Sequence, residues 1–264
     1  MIPWFDLPAM TLGPLTLDIP SSLGIVGAIA ALWFVRRRAR RAGLSIRRAV
    51  DGIVLIIACA LFFGHTFDVL LYRFGELQAD WRLLLPWSGG YCSLGAGIGL
   101  MVAVLFFFRA PAVGLRWDYL DQSVLALLLG LGILRFGCFF GHHHAGRLSD
   151  SVLAVAYPGG ARHDLGLDEA LLIVAFFATL LLLDRRNPRL RPGRLCGIAA
   201  VAYGASRFGL EFLRGRDIEL IGRHSDAHHA GLTLVQYGAL LLVVAGSGVL
   251  WLRRSSWNTS DRNF

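Results

Sequence analysis

The chain has 264 residues, of which 55% are hydrophobic and only 17% charged, with a mean hydropathy of +0.57. That balance excludes an ordinary soluble domain. The net charge of +8 comes with no recognition module and no basic–aromatic stripe, which excludes a nucleic-acid binder.

Seven apolar stretches, at about 20–35, 52–72, 89–108, 119–140, 168–184, 194–213 and 232–252, are candidates to cross a hydrocarbon core of roughly 30 Å. The expected fold is an all-α integral membrane protein of seven transmembrane helices, residues 1–264 forming a single polytopic membrane domain with no soluble module. Span one starts too far along the chain, behind Asp6 and Asp18, to read as a cleaved signal peptide. Span two ends in GHTFDVLLY, with His65 and Asp68 at i, i+3. This is an acid/base pair or a hydrogen-bonded helix contact, and the sequence supports both. Span three opens with WSGGYCSLGAGIG, residues 87–99. It lacks P-loop spacing and a lysine, leaving either close helix packing through small residues or a bare backbone, as at Gly89 and Gly90, approaching a ligand.

Span four ends in LRFGCFFGHHHAG, and continuing the helical period sets Arg135, Cys138 and His142 at i, i+3 and i+7 on one face. Span six carries AYGASRFGLEFLR, so Tyr203, Arg207, Glu211 and Arg214 share an arc of about 80°. A charge inside a span costs several kcal/mol unless it is paired or faces a wet cavity. Two buried guanidiniums, Arg135 and Arg207, need an anion. Glu211 neutralises one; the remaining charge suits a phosphate, which guanidinium binds bidentately. For Arg214, snorkelling to the interface accounts for its position as well. His142, His143, His144, His163, His224, His228 and His229 fall in the loops at this end, but the spacing fits loop polarity better than a metal site. No metal and no cofactor is expected. Cys59, Cys92, Cys138 and Cys196 lie in or beside spans without CxxC spacing, so no disulfide framework is expected.

All 26 basic residues are arginine, and their distribution carries topology. Arg36, Arg37, Arg38, Arg40, Arg41, Arg47, Arg48, Arg109, Arg116, Arg185, Arg186, Arg189, Arg191, Arg194, Arg253, Arg254 and Arg262 fall on one side. Arg73, Arg82, Arg147, Arg162, Arg214, Arg216 and Arg223 fall on the other. The positive-inside rule then puts the N-terminus outside and the C-terminus in the cytoplasm. Spans four and six both run outward, so Arg135 and Arg207 converge toward the outer leaflet.

These segments, in order, resemble the bacterial prolipoprotein diacylglyceryl transferase family. LGPLTL is similar to its opening Gly-Pro stretch, GHTFDVLLY to its Gly-Arg-x-x-Tyr-Val-Leu segment and WSGGYCSLGAGIG to its double-glycine motif. RFGCFFGHHHAGR aligns without gaps to Arg-x-Gly-Asn-Phe-x-Asn-Gly-Glu-x-x-Gly-Arg. RHDLGLDEA keeps Leu167 and Glu169 of a further motif, and LTLVQ is similar to the start of the last span. YGASRFGLEFLR is close to Tyr-Gly-x-x-Arg-Phe-x-x-Glu-x-x-Arg and is the most specific match. The resemblance implies a multi-pass protein of the bacterial cytoplasmic (inner) membrane. Its active site would face the outer leaflet, and its reaction belongs to lipoprotein biosynthesis. The implied transferase moves the diacylglyceryl group of phosphatidylglycerol, or a related anionic phospholipid, to the cysteine thiol of a lipobox-containing preprotein. Arg135, Gly137, Gly146, Tyr203, Arg207, Glu211 and Arg214 carry over. Arg135 and Arg207 are expected to stabilise the departing phosphate, Glu211 to orient Arg207, and His142 or His143 to move a proton. Gly89, Gly90, Cys138 and His65 are expected to line the substrate. Five departures stand out. Cys138 replaces an Asn, Gly141 a second Asn and His143 a Glu, while Leu94 stands where a proposed acid/base His is often found; His65 takes the place of an Arg. Two alternatives follow: another lipid or acceptor, with Cys138 as a nucleophile, or a non-catalytic lipid- or metal-binding membrane protein.

Overall fold

The computed structural model describes residues 1–7, 10–12, 15–85, 88–109, 116–187, 190–215 and 228–254. His224 and the family-like Gly13-Pro14 lie outside them. Long helices dominate: α1 (Ile19–Arg41), α2 (Ile46–Tyr72), α4 (Ser93–Arg109), α5 (Arg116–Phe140), α6 (Leu165–Arg186), α7 (Arg194–Glu211) and α8 (Leu234–Leu252), with a short α3 (Phe74–Ala79) and a 3-10 turn at Trp81–Leu84. Five of these, α1, α2, α5, α6 and α8, are long and apolar enough to cross a membrane. The apolar part of α4, Ser93–Phe107, is shorter, and α7 interrupts its apolar run with Arg207 and Glu211. The coarse expectation of a mostly helical membrane protein therefore stands.

Local chemistry starts and stops these helices. Asp18 caps α1 by accepting from the Ser21 amide at 2.7 Å, with Pro20 in the first turn; the hydrogen bond holds the Asp18 carboxyl below its ordinary range. Gly43 at φ +66 closes the turn to α2. Helix α8 opens on a reciprocal capping box between Thr233 and Gln236. The residue before α7 is glycine, which offers no capping side chain, so Asp121 of α5 does the capping from a distance. It accepts from the Gly193 amide at 2.7 Å and the Cys196 amide at 2.8 Å.

The helices pack as a closed circuit in which α1 lies against α5, α5 against α6, α6 against α7, α7 against α8, α8 against α4, α4 against α2 and α2 back against α1. Small residues set these contacts, as expected where lipid supplies no hydrophobic drive between helices. A Cβ on Gly27 would come within 2.5 Å of the Gly130 carbonyl, and one on Gly204 within 2.8 Å of the Ala239 carbonyl. The glycines of span three divide in the same way. Gly95 and Gly99 press on the α2 backbone at Phe63 and Cys59, while Gly97 faces open space. Outside the circuit, large apolar side chains such as Ile29, Phe62, Phe106 and Val244 are exposed on four different helices. A band of that kind suits a hydrocarbon surround.

At one end of the circuit the chain builds a small β cap. Strands β3 (Ala145–Leu148), β4 (Val155–Tyr157) and β5 (Gly160–Asp164) form an antiparallel sheet in the order β3-β5-β4. Ile2 bridges Val155, so the first residues lie along the sheet edge. Phe139, Ala145, Val155, Tyr157 and Leu167 form a buried core here, joined by Trp4 and Phe5. Two short hairpins complete the strand inventory of the described residues: β1 (Met10–Leu12) with β2 (Leu15–Leu17), and β6 (His228–His229) with β7 (Leu232–Thr233).

Candidate active site beneath the cap

The cap-facing halves of α5, α6 and α7 bring three charged helices together. Arg135 on α5 puts its Nε 3.2 Å from Glu169 Oε2 on α6, and the Tyr203 hydroxyl on α7 donates to Glu169 Oε1 at 2.7 Å. Tyr203 also lies within electrostatic reach of both Arg135 and Arg207. One turn on, Arg207 pairs with Glu211 at 2.8 Å, and the other oxygen of that carboxylate accepts from Arg214 Nε at 2.8 Å. Glu211 is almost fully enclosed, its side chain 1% exposed, so a single buried carboxylate serves two guanidiniums. Arg135, Arg207 and Arg214 thus face Glu169 and Glu211 among the described residues.

Arg135 has a further peculiarity. Although its Nε sits at ion-pair distance from Glu169, the direction does not satisfy a hydrogen bond, and this buried N–H has no acceptor among the described residues. An unsatisfied buried donor costs about 1–3 kcal/mol, a cost that an anion in the pocket would remove. On its other side Arg135 donates to His144 Nε2 at 3.3 Å. Cys138 is within electrostatic reach of the same guanidinium.

The ladder Tyr203–Arg207–Glu211–Arg214 assembles as its spacing implies. Extending the α5 face to His142 does not hold. Helix α5 stops at Phe140 and His142 turns to φ +49, which throws its ring away from Arg135 and under the N-terminal segment. There it stacks on Trp4 with centroids 4.2 Å apart, contacts the Phe5 carbonyl through Nε2 at 2.9 Å and faces Asp164 Oδ2 through Nδ1 at 3.4 Å. Tyr157 donates to the same carboxyl oxygen at 2.6 Å. Burial pushes the Asp164 carboxyl above its ordinary range. A protonated Asp164 can donate to Nδ1 of a neutral ring whose Nε2–H serves Phe5. His143 turns toward Asp18 and the Gly141 backbone. Of the three consecutive histidines, His144 is the one brought to Arg135.

The glycines carried over from the resemblance are close-approach positions. A Cβ on Gly137 would sit 3.0 Å from the Pro20 carbonyl of α1, and one on Gly146 2.6 Å from the Leu213 carbonyl. Gly146 bridges Arg214 in backbone pairing, which ties the cap to the end of the α7 ladder. On α2, His65 is buried with Nδ1 3.0 Å from the Gly90 carbonyl and Nε2 3.1 Å from the Leu83 carbonyl. Gly89 and Gly90 adopt φ +74 and +86, and Asp68 crowds the position a Gly90 Cβ would take. His65, Asp68 and Arg73, which reaches the Gly89 carbonyl at 3.4 Å, therefore clasp the double-glycine turn. Glu169 and His144 complete the arginine cluster and were not singled out by spacing. Glu169 stands 34 residues from its partner Arg135 on another helix, a relation no local periodicity carries. Among the described residues no group of three or more His, Cys, Asp or Glu is placed to hold a metal ion.

Comparison with known proteins identifies the family. The sequence model of the prolipoprotein diacylglyceryl transferase family matches residues 8–252. A protein of Chromohalobacter salexigens named phosphatidylglycerol–prolipoprotein diacylglyceryl transferase is 33% identical over 260 residues, covering 96% of this chain and 94% of its own length. A relative of the same name from Pasteurella multocida is 30% identical over 92% of this chain and 93% of its own, and one from Brucella canis 29% identical over 83% and 82%. With the match running through the arginine ladder and the cap, the chain belongs to the prolipoprotein diacylglyceryl transferase family.

Proposed function

We propose that this protein transfers the diacylglyceryl group of phosphatidylglycerol to the lipobox cysteine thiol of a preprotein, at the outer leaflet of the bacterial inner membrane. In this reading all seven long helices cross the bilayer, the N-terminus lies outside and the C-terminus in the cytoplasm. The observation that carries it is the meeting of two guanidiniums from different helices, the largely enclosed Arg135 and the buried Arg207, around one hydroxyl, Tyr203. The names of the relatives supply the substrates.

The chemistry assigns roles. The acceptor thiolate attacks the glyceryl carbon that carries the phosphate; a C–S bond forms, the C–O bond breaks, and glycerol phosphate leaves with the electron pair. Arg135 and Arg207 hold the phosphate and offset the charge that grows on the departing oxygen, the step where fixed donors contribute most. The unsatisfied Arg135 Nε–H is one such donor. Glu169 and Tyr203 position Arg135, and Glu211 positions Arg207 while sharing itself with Arg214. His144, the imidazole nearest Arg135, takes the thiol proton in place of His142 and His143, its Nε2 giving up the Arg135 N–H as it does so. Gly89, Gly90 and His65 shape the neighbouring turn, and Gly137 and Gly146 allow the backbone approaches that frame the pocket.

The test is complementation of a strain depleted of its own transferase, with lipidation of a reporter lipoprotein followed by mass. Wild type is expected to add one diacylglyceryl unit; correct insertion with no added mass would overturn the reading. Arg207→Lys, which keeps charge but loses the bidentate fork, is expected to lower turnover about 100-fold. A second reading, with Cys138 attacking the lipid, draws on the place of Cys138 beside Arg135. Full activity in Cys138→Asn would remove it.

A further inference from the structure

At the end of the helical circuit opposite the cap, a cleft of about 620 Å³ opens between α1, α5 and α6. It is far from the arginine ladder, and nothing in the transfer chemistry uses it. Its lining is Arg37, Arg38, Arg41, Arg185, Asp184 and Gln122 on the polar side, with Trp33, Phe34, Ala42 and Leu181 on the apolar side. Four guanidiniums therefore face one carboxylate. Arg38 accounts for that carboxylate, meeting Asp184 at 2.6 Å and also donating to Gln122. The charges of Arg37, Arg41 and Arg185 remain in surplus around the mouth.

The apolar side gives the cleft its second character. Trp33 is 57% exposed, facing outward from α1, and the Arg37 guanidinium stacks over its ring at 5.6 Å. Trp33 stands near the end of the apolar stretch of α1, where tryptophan favours the headgroup level of a bilayer, and Arg37 fixes the cationic rim just beyond it. Leu181 and Phe34 continue the apolar wall inward. A ligand filling this space needs an anionic head that guanidinium can fork and an apolar body to lie along Trp33 and Leu181.

We infer that this cleft binds the phosphate headgroup of an anionic phospholipid from the leaflet facing the arginine-rich end, the cytoplasmic leaflet in the orientation proposed above. The site is separate from the one that reacts. It seats a lipid as a resident ligand between α1, α5 and α6, bridging helices that Arg38 already ties together.

The test is titration of the full chain, purified in neutral detergent, with short-chain phosphatidylglycerol, followed by native mass spectrometry. It is run in an Arg207→Gln background, so that the reactive site does not contribute and the result does not depend on the transfer reaction. Binding is expected to persist in that background. It should weaken roughly tenfold or more in Arg37→Gln/Arg41→Gln/Arg185→Gln. It should change little in Arg36→Gln/Arg40→Gln/Arg186→Gln, which removes the same charge from the same helices outside the cleft. Should the glutamine triple not insert, the corresponding Arg→Lys triple keeps the topology charge and is still expected to lose affinity several-fold, because the forked geometry is gone. Equal loss in both glutamine triples, equal binding of phosphatidylcholine, or unchanged affinity in the cleft variant would each overturn the proposal. Glycerol phosphate binding as tightly as the lipid, with the same arginine dependence, would overturn the lipid as occupant.

Discussion

At the scale of single residues, the site depends on carboxylates that keep arginines in place. Glu169→Gln would leave Arg135 buried without its counter-charge, and breaking such a pair costs about 3–5 kcal/mol. Chemical denaturation is expected to show that loss, whereas Tyr203→Phe, which removes one hydrogen bond, should cost about 1 kcal/mol. Asp164 behaves differently. Its carboxyl is raised above the ordinary value of about 4, so the folded state holds the proton more tightly than the unfolded chain. This contribution to stability is complete below the unfolded value and is lost as pH climbs through the folded one. Asn at 164 can still accept from Tyr157 but does not titrate. The fall in melting temperature from pH 4 to pH 7 should therefore be smaller in Asp164→Asn than in wild type; an identical slope would refute the assignment. The arginine ladder of α7 was legible because one helix carries it and the period is fixed. Arg135–Glu169 was not, since its partners meet only through packing of α5 on α6. The His142 placement failed at a single backbone angle, a positive φ just past the last helical turn.

At the scale of elements, apolar length located the seven long helices, while their ends were set by residues that hydropathy ignores. Asp121 is one of these: it serves the first turn of α7 from α5. Asp121→Ala would orphan the Gly193 and Cys196 amides, and is expected to cost about 2 kcal/mol by thermal denaturation in detergent. Helix contacts give a paired expectation. Gly130→Leu drives a side chain into the Gly27 backbone and should destabilise by about 1–3 kcal/mol or more, whereas Gly97→Leu, with nothing within 4 Å of its Cβ, should pack freely against its surroundings. By sequence the loop after span four reads as a polar connection. The strands found there are only three to five residues long, too short for an alternating pattern to stand out in sequence.

At the scale of the whole molecule, the two ends of the helical circuit differ in kind: one is capped by strands and buries its charges, the other is open and rimmed with arginine. The proposed orientation makes a direct expectation for spheroplasts. A cysteine placed at Val152, 81% exposed on the cap, should react with a membrane-impermeant thiol reagent, and one at Ala42, between α1 and α2, should not; the reverse pattern would invert the topology. The bridge between Ile2 and Val155 also constrains the order of assembly. Ile2 leaves the ribosome before Val155, and the strand edge it completes is made more than 150 residues later. On the proposed topology Ile2 must wait outside, unpaired, while four helices are threaded. Trp4 can close over His142 only after the cap strands are made, so that a segment translated early is fastened late.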